Sequence, residues 1–393
     1  MKIEIPAYVQ TLIKLLETHH FQAFVVGGAI RNTLLNLPVH DYDLTTEATP
    51  DQMLEVFKDY PVIETGKKFG TLTVLIEHHP IEVTTFRSEN SYIDHRRPSS
   101  VQYSKSIQED CKRRDFTINA LCTRGDDEIL DFFNGIDDLH NEIIRCIGNP
   151  VERFDEDALR ILRALRFAGR LSFTIEENTA HAIHAQKDLL KEISVERIHS
   201  EWIGILQTHS LPDIITNYPD VIQVFLPELS TSWLLDNTKI LAQSKGDANI
   251  RMAILLRNQQ SPKQILKRLT YSTDEINIII TCIQNMHVSL TNKIELKYLL
   301  SKLKIPFDTY HSFRCVIDDS YQASTIHAYY QEIINNHEPY SLKDLVINGN
   351  TLKQYGYLGK QIADILADCL SDVIENPSHN TSDYLHNKLK NTR

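Results

Sequence analysis

Two aspartates one residue apart, Asp41 and Asp43, follow a Gly27–Gly28 pair and Arg31 in the stretch 24–46. On an extended strand, side chains two positions apart point to the same face. Carboxylates paired in this way bind hard divalent cations such as Mg²⁺. The two glycines let the backbone come close to a phosphate, and the start of a helix behind them offers free N–H groups. The segment therefore predicts metal-assisted transfer of a nucleotidyl group.

A third carboxylate, Glu82, lies in the apolar run IEVTTFR, which we expect to form a strand beside the one that holds Asp41 and Asp43. In that position Glu82 would bind metal or accept the proton of an attacking hydroxyl group. The alternative is an exposed strand glutamate with neither role.

A second cluster, at 112–119, places Arg113 and Arg114 ahead of Asp115. We expect Arg114 to bond a ribose or phosphate oxygen, Asp115 to hold that arginine, and Asn119 to tie the loop. An Arg-Arg-Asp sequence by itself is usually a surface ion pair. The metal site predicted elsewhere in the chain makes a role in nucleotide binding the better interpretation of this cluster.

In the third cluster, Asp157 is followed by arginines at three-residue intervals: Arg160, Arg163 and Arg166. The apolar spacing predicts one helix over 152–170. On that helix each three-residue step rises about 4.5 Å and turns by about −60°, so Asp157 and Arg166 would lie on opposite sides, about 13 Å apart. Such a spiral suits an extended ligand of the length of a nucleoside triphosphate. The alternative is the solvated side of an amphipathic helix.

Asp157 beside Arg160 would also select a base. A carboxylate accepts from an exocyclic amine, and a guanidinium donates to a ring nitrogen or carbonyl. Cytosine and adenine present that edge, whereas guanine and uracil reverse it and leave two buried groups unpaired. The pair predicts a protein that accepts C or A and rejects G or U.

The elements that must position these residues form an α/β region followed by helices. Apolar spacing predicts helices at 7–20 and 50–57 and strands at 69–76 and 81–86, with a turn near 78–80. Asn36 is expected to end a helix in a left-handed conformation. Beyond 148 the strand signals nearly vanish, and amphipathic helices are predicted at 152–170, 174–186 and 194–207. The polar stretch 87–106 is predicted to be a mobile loop.

The composition is that of a soluble protein with more than one domain: 393 residues, 42% apolar and 24% charged. No apolar run approaches the roughly 20 residues that span a bilayer. Six scattered cysteines predict buried free thiols in the cytoplasm rather than a zinc site. The net charge is −11, but 245–304 has ten Lys or Arg against four Asp or Glu. That excess predicts either an RNA-backbone surface or a solvated helical face.

The order of these motifs, together with DFFNGIDDL at 131–139 and SVERIHSEW at 194–202, resembles the class II CCA-adding tRNA nucleotidyltransferases and bacterial poly(A) polymerases. DLVINGNTLKQYGYLGKQIADIL at 344–366 is similar to the tail of the Gram-positive CCA-adding type. The resemblance implies an α+β nucleotidyltransferase head of the polymerase-β-like kind with a mixed or antiparallel sheet, followed by an elongated all-α remainder. The implied domains are a head at 1–148, a neck at 149–208, a body at 209–305 and a tail at 306–393.

Carried onto matching positions, the resemblance implies Mg²⁺ at Asp41 and Asp43, with CTP and ATP as substrates and tRNA as the partner. A homodimer is compatible with it. The implied nucleotide-binding residues are Gly28, Arg31, Arg114, Asp157, Arg160, Arg163 and Arg166.

The chain departs from the family pattern at Asn32, where the family usually has aspartate. Three other functions remain open: an A-adding enzyme that follows a CC-adding partner, a poly(A) polymerase, and a catalytically silent RNA-binding protein. The loop at 87–101, which is shortened in branches that stop after CC, is present in this chain.

Overall fold

The computed structural model describes residues 3–88, 92–93, 97–98, 102–125 and 128–391. Much of the loop predicted at 87–106 lies outside these residues. The chain divides into two compact units, Met1–Thr238 and Lys239–Arg393. No helix among the described residues is long and apolar enough to cross a membrane.

The strands belong to the first unit. In chain order they are β1 Ala23–Val26, β2 Asp43–Thr46, β3 Val62–Ile63, β4 Thr71–Ile76, β5 His79–Thr85, β6 Arg87–Ser88, β7 Tyr92–Ile93, β8 Arg97–Pro98, β9 Gln102–Tyr103, β10 Cys122–Thr123, β11 Ile143–Ile144 and β12 Thr174–Ile175.

Six of these strands form the main sheet, in the order β10-β1-β2-β5-β4-β3. Strands β2 and β5 are parallel, and the other neighbours are antiparallel. The sheet is therefore mixed, as predicted. Strand β1 is buried along its whole length, and its Phe24 and Val26 pack with Phe86, Cys111 and Ile147 in one core cluster.

Helices account for most of the remaining structure in both units. In chain order they are α1 Ala7–Thr18, α2 Gly28–Leu34, α3 Pro50–Val56, α4 Ile107–Lys112, α5 Gly135–His140, α6 Pro150–Glu156, α7 Leu159–Leu171, α8 Glu177–Gln186, α9 Val195–Leu206, α10 Leu211–Asn217, α11 Pro219–Phe225, α12 Thr231–Asp236, α13 Thr238–Gln243, α14 Ala248–Leu256, α15 Pro262–Arg268, α16 Thr273–Gln284, α17 Lys293–Lys302, α18 Phe307–Ile317, α19 Ala323–Asn335, α20 Gly349–Gln354, α21 Lys360–Glu375 and α22 Ser382–Asn391.

Several local predictions are confirmed. Helices α1 and α3 lie where the apolar spacing placed them, and Thr49 and Gln52 form a capping box ahead of α3. Asn36 adopts the left-handed conformation, with φ 53°. The β4–β5 turn lies at Glu77–His78, slightly earlier than predicted. Both of these residues have positive φ, 48° and 67°, as a two-residue hairpin turn requires.

Two helix predictions are wrong at their boundaries. The helix predicted at 152–170 is interrupted between Glu156 and Leu159, where Asp157 has an extended backbone with φ −148° and ψ 99°. The helix predicted at 174–186 begins only at Glu177 because Thr174–Ile175 pairs as a parallel strand with β11. The interruption at Asp157 matters most because it changes how the arginine cluster is presented.

All six cysteines are free. Five of them are buried, as predicted, but Cys315 is exposed. In the second unit, a separate apolar core joins α20, α21 and α22 through residues such as Leu352, Val373 and Leu385.

Candidate active site

The predicted carboxylates lie near the start of strand β2. Asp43 is the first residue of β2; it is opposite Val26 on β1 and opposite Glu82 on β5. Because β2 and β5 are parallel and in register, Asp43 and Glu82 point to the same face of the sheet. The expected strand pairing of Glu82 is therefore confirmed. Asp41 is not in the strand, however, but in the loop immediately before it.

The neighbouring carboxylates disfavour the charged form of Asp43. Asp43 is reached by solvent but is flanked by protein, and this desolvation raises its pKa, helped by Glu82 and Asp41 and opposed by Arg114. Mutual repulsion of this kind is what a bound divalent cation relieves, so the donor set fits a metal. Within the part of the chain that the structure describes, no group of three or more His, Cys, Asp and Glu side chains is arranged to hold a metal ion.

Arg114 lies beside Asp43, but its partner differs from the prediction. Its Nη2 donates to Asp110 Oδ2 at 3.4 Å rather than to Asp115, and Arg113 bonds the other oxygen of Asp110 at 2.7 Å. Burial opposes the charge on Arg114, but the nearby carboxylates, Asp110 above all, keep its pKa above the ordinary value. The prediction that Asp115 holds Arg114 is therefore wrong, because the fully buried Asp110 takes that role.

Gly27 allows this arrangement. Its φ is 76°, in the region that favours glycine, and a Cβ added there would lie 3.3 Å from Arg114 Nη1. A side chain at this position would therefore disturb both the turn that opens α2 and the arginine beside the carboxylates.

A continuous chain of hydrogen bonds connects α2 to α7. Arg31 Nη1 donates to Asn119 Oδ1 at 2.5 Å, and Asn119 Nδ2 donates to Asp115 Oδ1 at 3.1 Å. The other oxygen of Asp115 accepts from Arg163 Nε at 2.8 Å and from Arg163 Nη2 at 2.5 Å. Burial alone would raise the pKa of Asp115, but Arg163 and the surrounding hydrogen bonds lower it to about 2. The predicted tie through Asn119 is present.

Arg31 is buried, and the residue that follows it and accepts its hydrogen bonds is an asparagine rather than a carboxylate. Asn32 Oδ1 accepts from Arg31 Nε at 3.1 Å and from Nη2 at 2.8 Å, while Asn32 Nδ2 donates to Pro38 O at 2.9 Å. Burial, together with Arg170 and other arginines, lowers the pKa of Arg31 to about 10. An amide at position 32 thus orients the guanidinium without adding a negative charge, and Asp115 is the carboxylate that partly offsets the charge of Arg31.

The interruption of the helix presents Asp157 separately from the arginines. Arg197 Nη2, from α9, donates to both oxygens of Asp157 at 3.1 and 2.9 Å. Arg160 is buried and donates to Glu156 Oε2 at 2.7 Å and to the carbonyl of Arg153 at 2.9 Å. The structure places Asp157 and Arg160 near the same cavity but gives each of them another strong partner.

Arg166 continues the row on α7. Its Nε donates to Glu201 Oε2 at 2.6 Å, and its guanidinium lies 4.7 Å from the centre of the Phe167 ring. A Cβ at position 204 would come within 2.4 Å of Arg166 Cδ, so Gly204 is what lets this side chain cross α9. The Phe167 ring also lies under Arg163, at 5.4 Å, which favours the approach of these mutually repelling cations.

One cavity of about 620 Å³ collects these side chains. Of the ten predicted site residues, nine line it and Glu82 does not: Gly28, Arg31, Asp41, Asp43, Arg114, Asp157, Arg160, Arg163 and Arg166. Asp157 and Arg166 both line this cavity, as the prediction of one extended ligand requires. The spacing calculated for one continuous helix does not apply, because the helix is interrupted between Glu156 and Leu159. Six arginines against four aspartates leave the described lining with an excess of positive charge, which suits a polyanionic ligand.

Sequence reasoning missed four side chains that line the cavity or hold residues lining it: Asp110, Arg170, Arg197 and Glu201. Arg170 lines the cavity, and the other three hold Arg114, Asp157 and Arg166. The spacing of Arg170, four positions after Arg166, was a usable signal. The partners on α4 and α9 were not predictable, because pairs so distant in sequence are brought together only by the fold.

Two family models match the first unit. The Poly A polymerase head domain matches residues 23–145, and the probable RNA and SrmB binding site of polymerase A matches residues 172–216. The first match contains the carboxylates and Arg114.

Curated relatives named CCA-adding enzyme match the chain over different lengths. The enzyme of Latilactobacillus sakei is 33% identical over 392 residues, covering 94% of this chain and 96% of the relative. The enzyme of Enterococcus faecalis is 49% identical over 195 residues, covering 50% of this chain and 48% of the relative. That second alignment thus spans about half of the relative's length.

The fold also matches a solved structure, that of the Bacillus stearothermophilus CCA-adding enzyme in complex with CTP. The TM-score is 0.85 at 24% sequence identity, covering 98% of this chain and 96% of that chain. At this identity the likeness shows the fold, namely a nucleotidyltransferase head followed by helices.

Proposed function

Since the chain belongs to the family of CCA-adding enzymes, we propose that it builds and repairs the 3′-terminal CCA of tRNA from CTP and ATP in the cytoplasm, without a nucleic-acid template. The observation that carries this proposal is the convergence of nine predicted residues on one positively charged cavity. Each addition joins the tRNA 3′-oxygen to the α-phosphorus of the incoming nucleotide and releases pyrophosphate.

Asp41 and Asp43 would hold Mg²⁺. The raised pKa of Asp43, to which Glu82 and Asp41 contribute, supports that assignment. When bound, the metal polarises the α-phosphate and lowers the pKa of the attacking hydroxyl. Glu82 lies opposite Asp43 on the neighbouring strand. There its negative charge would help the two aspartates to attract the metal ion.

The arginines would bind the nucleotide from two sides. Gly28 and Arg31 belong to α2, whereas Arg163 and Arg166 belong to α7, and the triphosphate would lie between them. Arg114 and its neighbour Asp115 would face the ribose. Because Asp115 also binds Arg163, ribose and phosphate contacts would be coupled through one carboxylate.

Asp157 would read the base. Its two oxygens already accept from Arg197, but each oxygen can accept more than one hydrogen bond, so an exocyclic amine can still bind. Arg197 would thereby fix the orientation of the carboxylate. Arg160, which is buried beside Glu156, would donate to the acceptor on the same edge of cytosine or adenine.

The helical parts would bind tRNA by shape and phosphate rather than by sequence. We assign 1–148 as the catalytic head, 149–208 as the neck that recognises the base, and 209–305 and 306–393 as the body and tail that bind tRNA. The exposed lysines of α15, Lys263 and Lys267, support a backbone-binding role for the body.

The decisive experiment incubates tRNA that ends at the discriminator base with each NTP separately and with CTP plus ATP. The proposal requires two C additions with CTP alone and a complete CCA with both nucleotides. Addition of A only to tRNA that already ends in CC would identify an A-adding enzyme. Long A tails on unrelated RNA would identify a poly(A) polymerase, and RNA binding without any addition would identify a silent RNA-binding protein.

A further inference from the structure

A second cavity of about 580 Å³ adjoins the candidate active site. We call it the α9 groove. One wall is the loop after α2, with Leu37 and His40, and the other is the end of α9 and its following loop, with Gln207 and His209. Arg166, Arg170, Asn32 and His40 line both cavities, so the groove and the active-site cavity are continuous.

The chemistry of the groove favours an anion. Its described lining contains two arginines and two histidines but no aspartate or glutamate, in a chain whose net charge is −11. Arg166 is partly neutralised by Glu201 at 2.6 Å. The exposed Arg170, by contrast, has no hydrogen bond or ion pair to any other residue that the structure describes, and it is close enough to Arg31 to lower the pKa of that group.

The position of the groove identifies the anion. If the base lies at Asp157 and the phosphates lie at Arg163 and Arg166, the order of the contacts follows α7 from its beginning toward its end. The α9 groove shares Arg166 and Arg170, so it lies beyond the phosphate end of the nucleotide and away from the base end. This step rests on the proposed function.

We propose that the α9 groove is the exit path of inorganic pyrophosphate. The leaving group passes from Arg163 and Arg166, which are paired with carboxylates, to Arg170. Arg170 has no such pair among the residues that the structure describes. An exit path must bind its ligand more weakly than the reaction site does. The groove meets that requirement because its described lining offers two arginines, Arg166 and Arg170, whereas the lining of the active-site cavity offers six.

Gln207→Glu tests this by placing a negative charge in the groove outside the lining of the active-site cavity. His209→Glu repeats the test in the loop beyond α9, and Arg170→Gln removes the unpaired cation. Gln52→Glu is the matched control, because Gln52 is exposed at the start of α3, where its side-chain oxygen accepts from the Thr49 N–H and a glutamate keeps that bond.

Pyrophosphate with Mg²⁺ is titrated calorimetrically into each full-length protein, and KM for CTP and Kd for tRNA are measured alongside. We expect all three groove variants to raise the Kd for pyrophosphate by threefold or more. Gln207→Glu and His209→Glu should change KM for CTP and Kd for tRNA by less than twofold, and Gln52→Glu should change nothing.

Unchanged pyrophosphate affinity in the groove variants would overturn the proposal. A loss of tRNA affinity without a change for pyrophosphate would overturn it as well, by assigning the groove to an RNA strand. A wild-type chain that adds no nucleotide to tRNA would refute the proposed function instead. The calorimetric comparison does not depend on turnover, so the two failures are distinguishable.

Discussion

Arg163 donates both Nε–H and Nη2–H to a single oxygen of Asp115, at 2.8 and 2.5 Å. The two residues are 48 positions apart in sequence, and their bond joins the Arg-Arg-Asp segment of the head to helix α7. Asn119 extends the link to Arg31 on α2. A change at Asp115 is therefore transmitted to arginines on both sides of the cavity.

Asp115→Asn should destabilise the protein at neutral pH. A carboxyl group whose folded pKa is about 2, below the ordinary 3.8, contributes stability that is present above the unfolded pKa and is lost as pH falls toward 2. The shift corresponds to about 2 kcal/mol. Urea unfolding at pH 7 should show a loss of that order for Asp115→Asn, and the difference from wild type should shrink as the pH approaches 3. A pH-independent difference would contradict the assignment.

Asp43→Asn should abolish nucleotide addition while keeping the fold and tRNA binding. Because the folded pKa of Asp43 is raised, its charged form is disfavoured in the metal-free protein, and this penalty is complete above the folded pKa. The variant should therefore melt at a higher temperature than wild type at pH 7 without metal, and the gain should disappear in acid. Circular dichroism, a turnover assay and melting curves check these outcomes.

The matched control for this change is Asp59→Asn, at an exposed position outside the cavity lining. It should retain turnover and melt like wild type. Normal turnover in folded Asp43→Asn would rule out the carboxylate site.

How far the sequence predicted the site depends on how far apart its parts are. The Gly-Gly, Arg31, Asp41 and Asp43 segment was predictable because its residues lie within one strand–helix–strand unit whose local geometry follows from spacing. The pairing of Glu82 with Asp43 was also predictable, since two neighbouring apolar strands bring both residues to the same face of the sheet.

The pairing of charges was not predictable. Asp110 and Asp115 both lie close to Arg114 in sequence, and only the fold decides that Asp110 binds it while Asp115 binds Arg163. The sequence around Asp157 has no glycine or proline that would predict the interruption of the helix. At that position Asp157 accepts from the N–H of Leu159 and from Arg197 of α9, and the second contact is tertiary.

The basic region at 245–304 separates into two classes of charge. Arg251 and Lys297 are buried, and Lys293 forms ion pairs with Glu332 and Glu338, so these side chains support the fold. The second class is exposed and includes Lys263 and Lys267 on α15, together with Lys245, Lys302 and Lys304. The prediction that this region binds the RNA backbone therefore applies only to its exposed lysines.

Lys263→Gln/Lys267→Gln should flatten the salt dependence of tRNA affinity. Each phosphate contact contributes about 0.7 to 0.9 to the slope of log K against log salt, so the slope should fall by about 1.5. The control, Lys14→Gln/Lys58→Gln, neutralises two exposed lysines of the first unit and should leave the slope unchanged. An unchanged slope in the α15 variant would assign these lysines to a solvated face.

Selection among the four nucleotides gives the sharpest test of which cavity residues contact the base and which contact the phosphates. Asp157, at the proposed base end, is held by Arg197, whereas Arg163 is held by Asp115 further along α7. Asp157→Ala should lose much of the discrimination against UTP and GTP, because each misplaced hydrogen bond costs roughly 1–3 kcal/mol and the carboxylate that enforces the choice is gone. Arg163→Ala should weaken all four nucleotides about equally, since it would contact phosphate.

The measurement is kcat/KM for the four NTPs on tRNA that ends in CC or at the discriminator base. Arg163→Ala is the matched control for Asp157→Ala, because both residues line the same cavity and both remove one partner of an ion pair between elements. Full C/A selectivity in Asp157→Ala, or a selective loss of it in Arg163→Ala, would show that base and phosphate are not divided along α7 in this way. The carboxylates and Arg114 would still support nucleotidyl transfer, but the protein could no longer be regarded as the template.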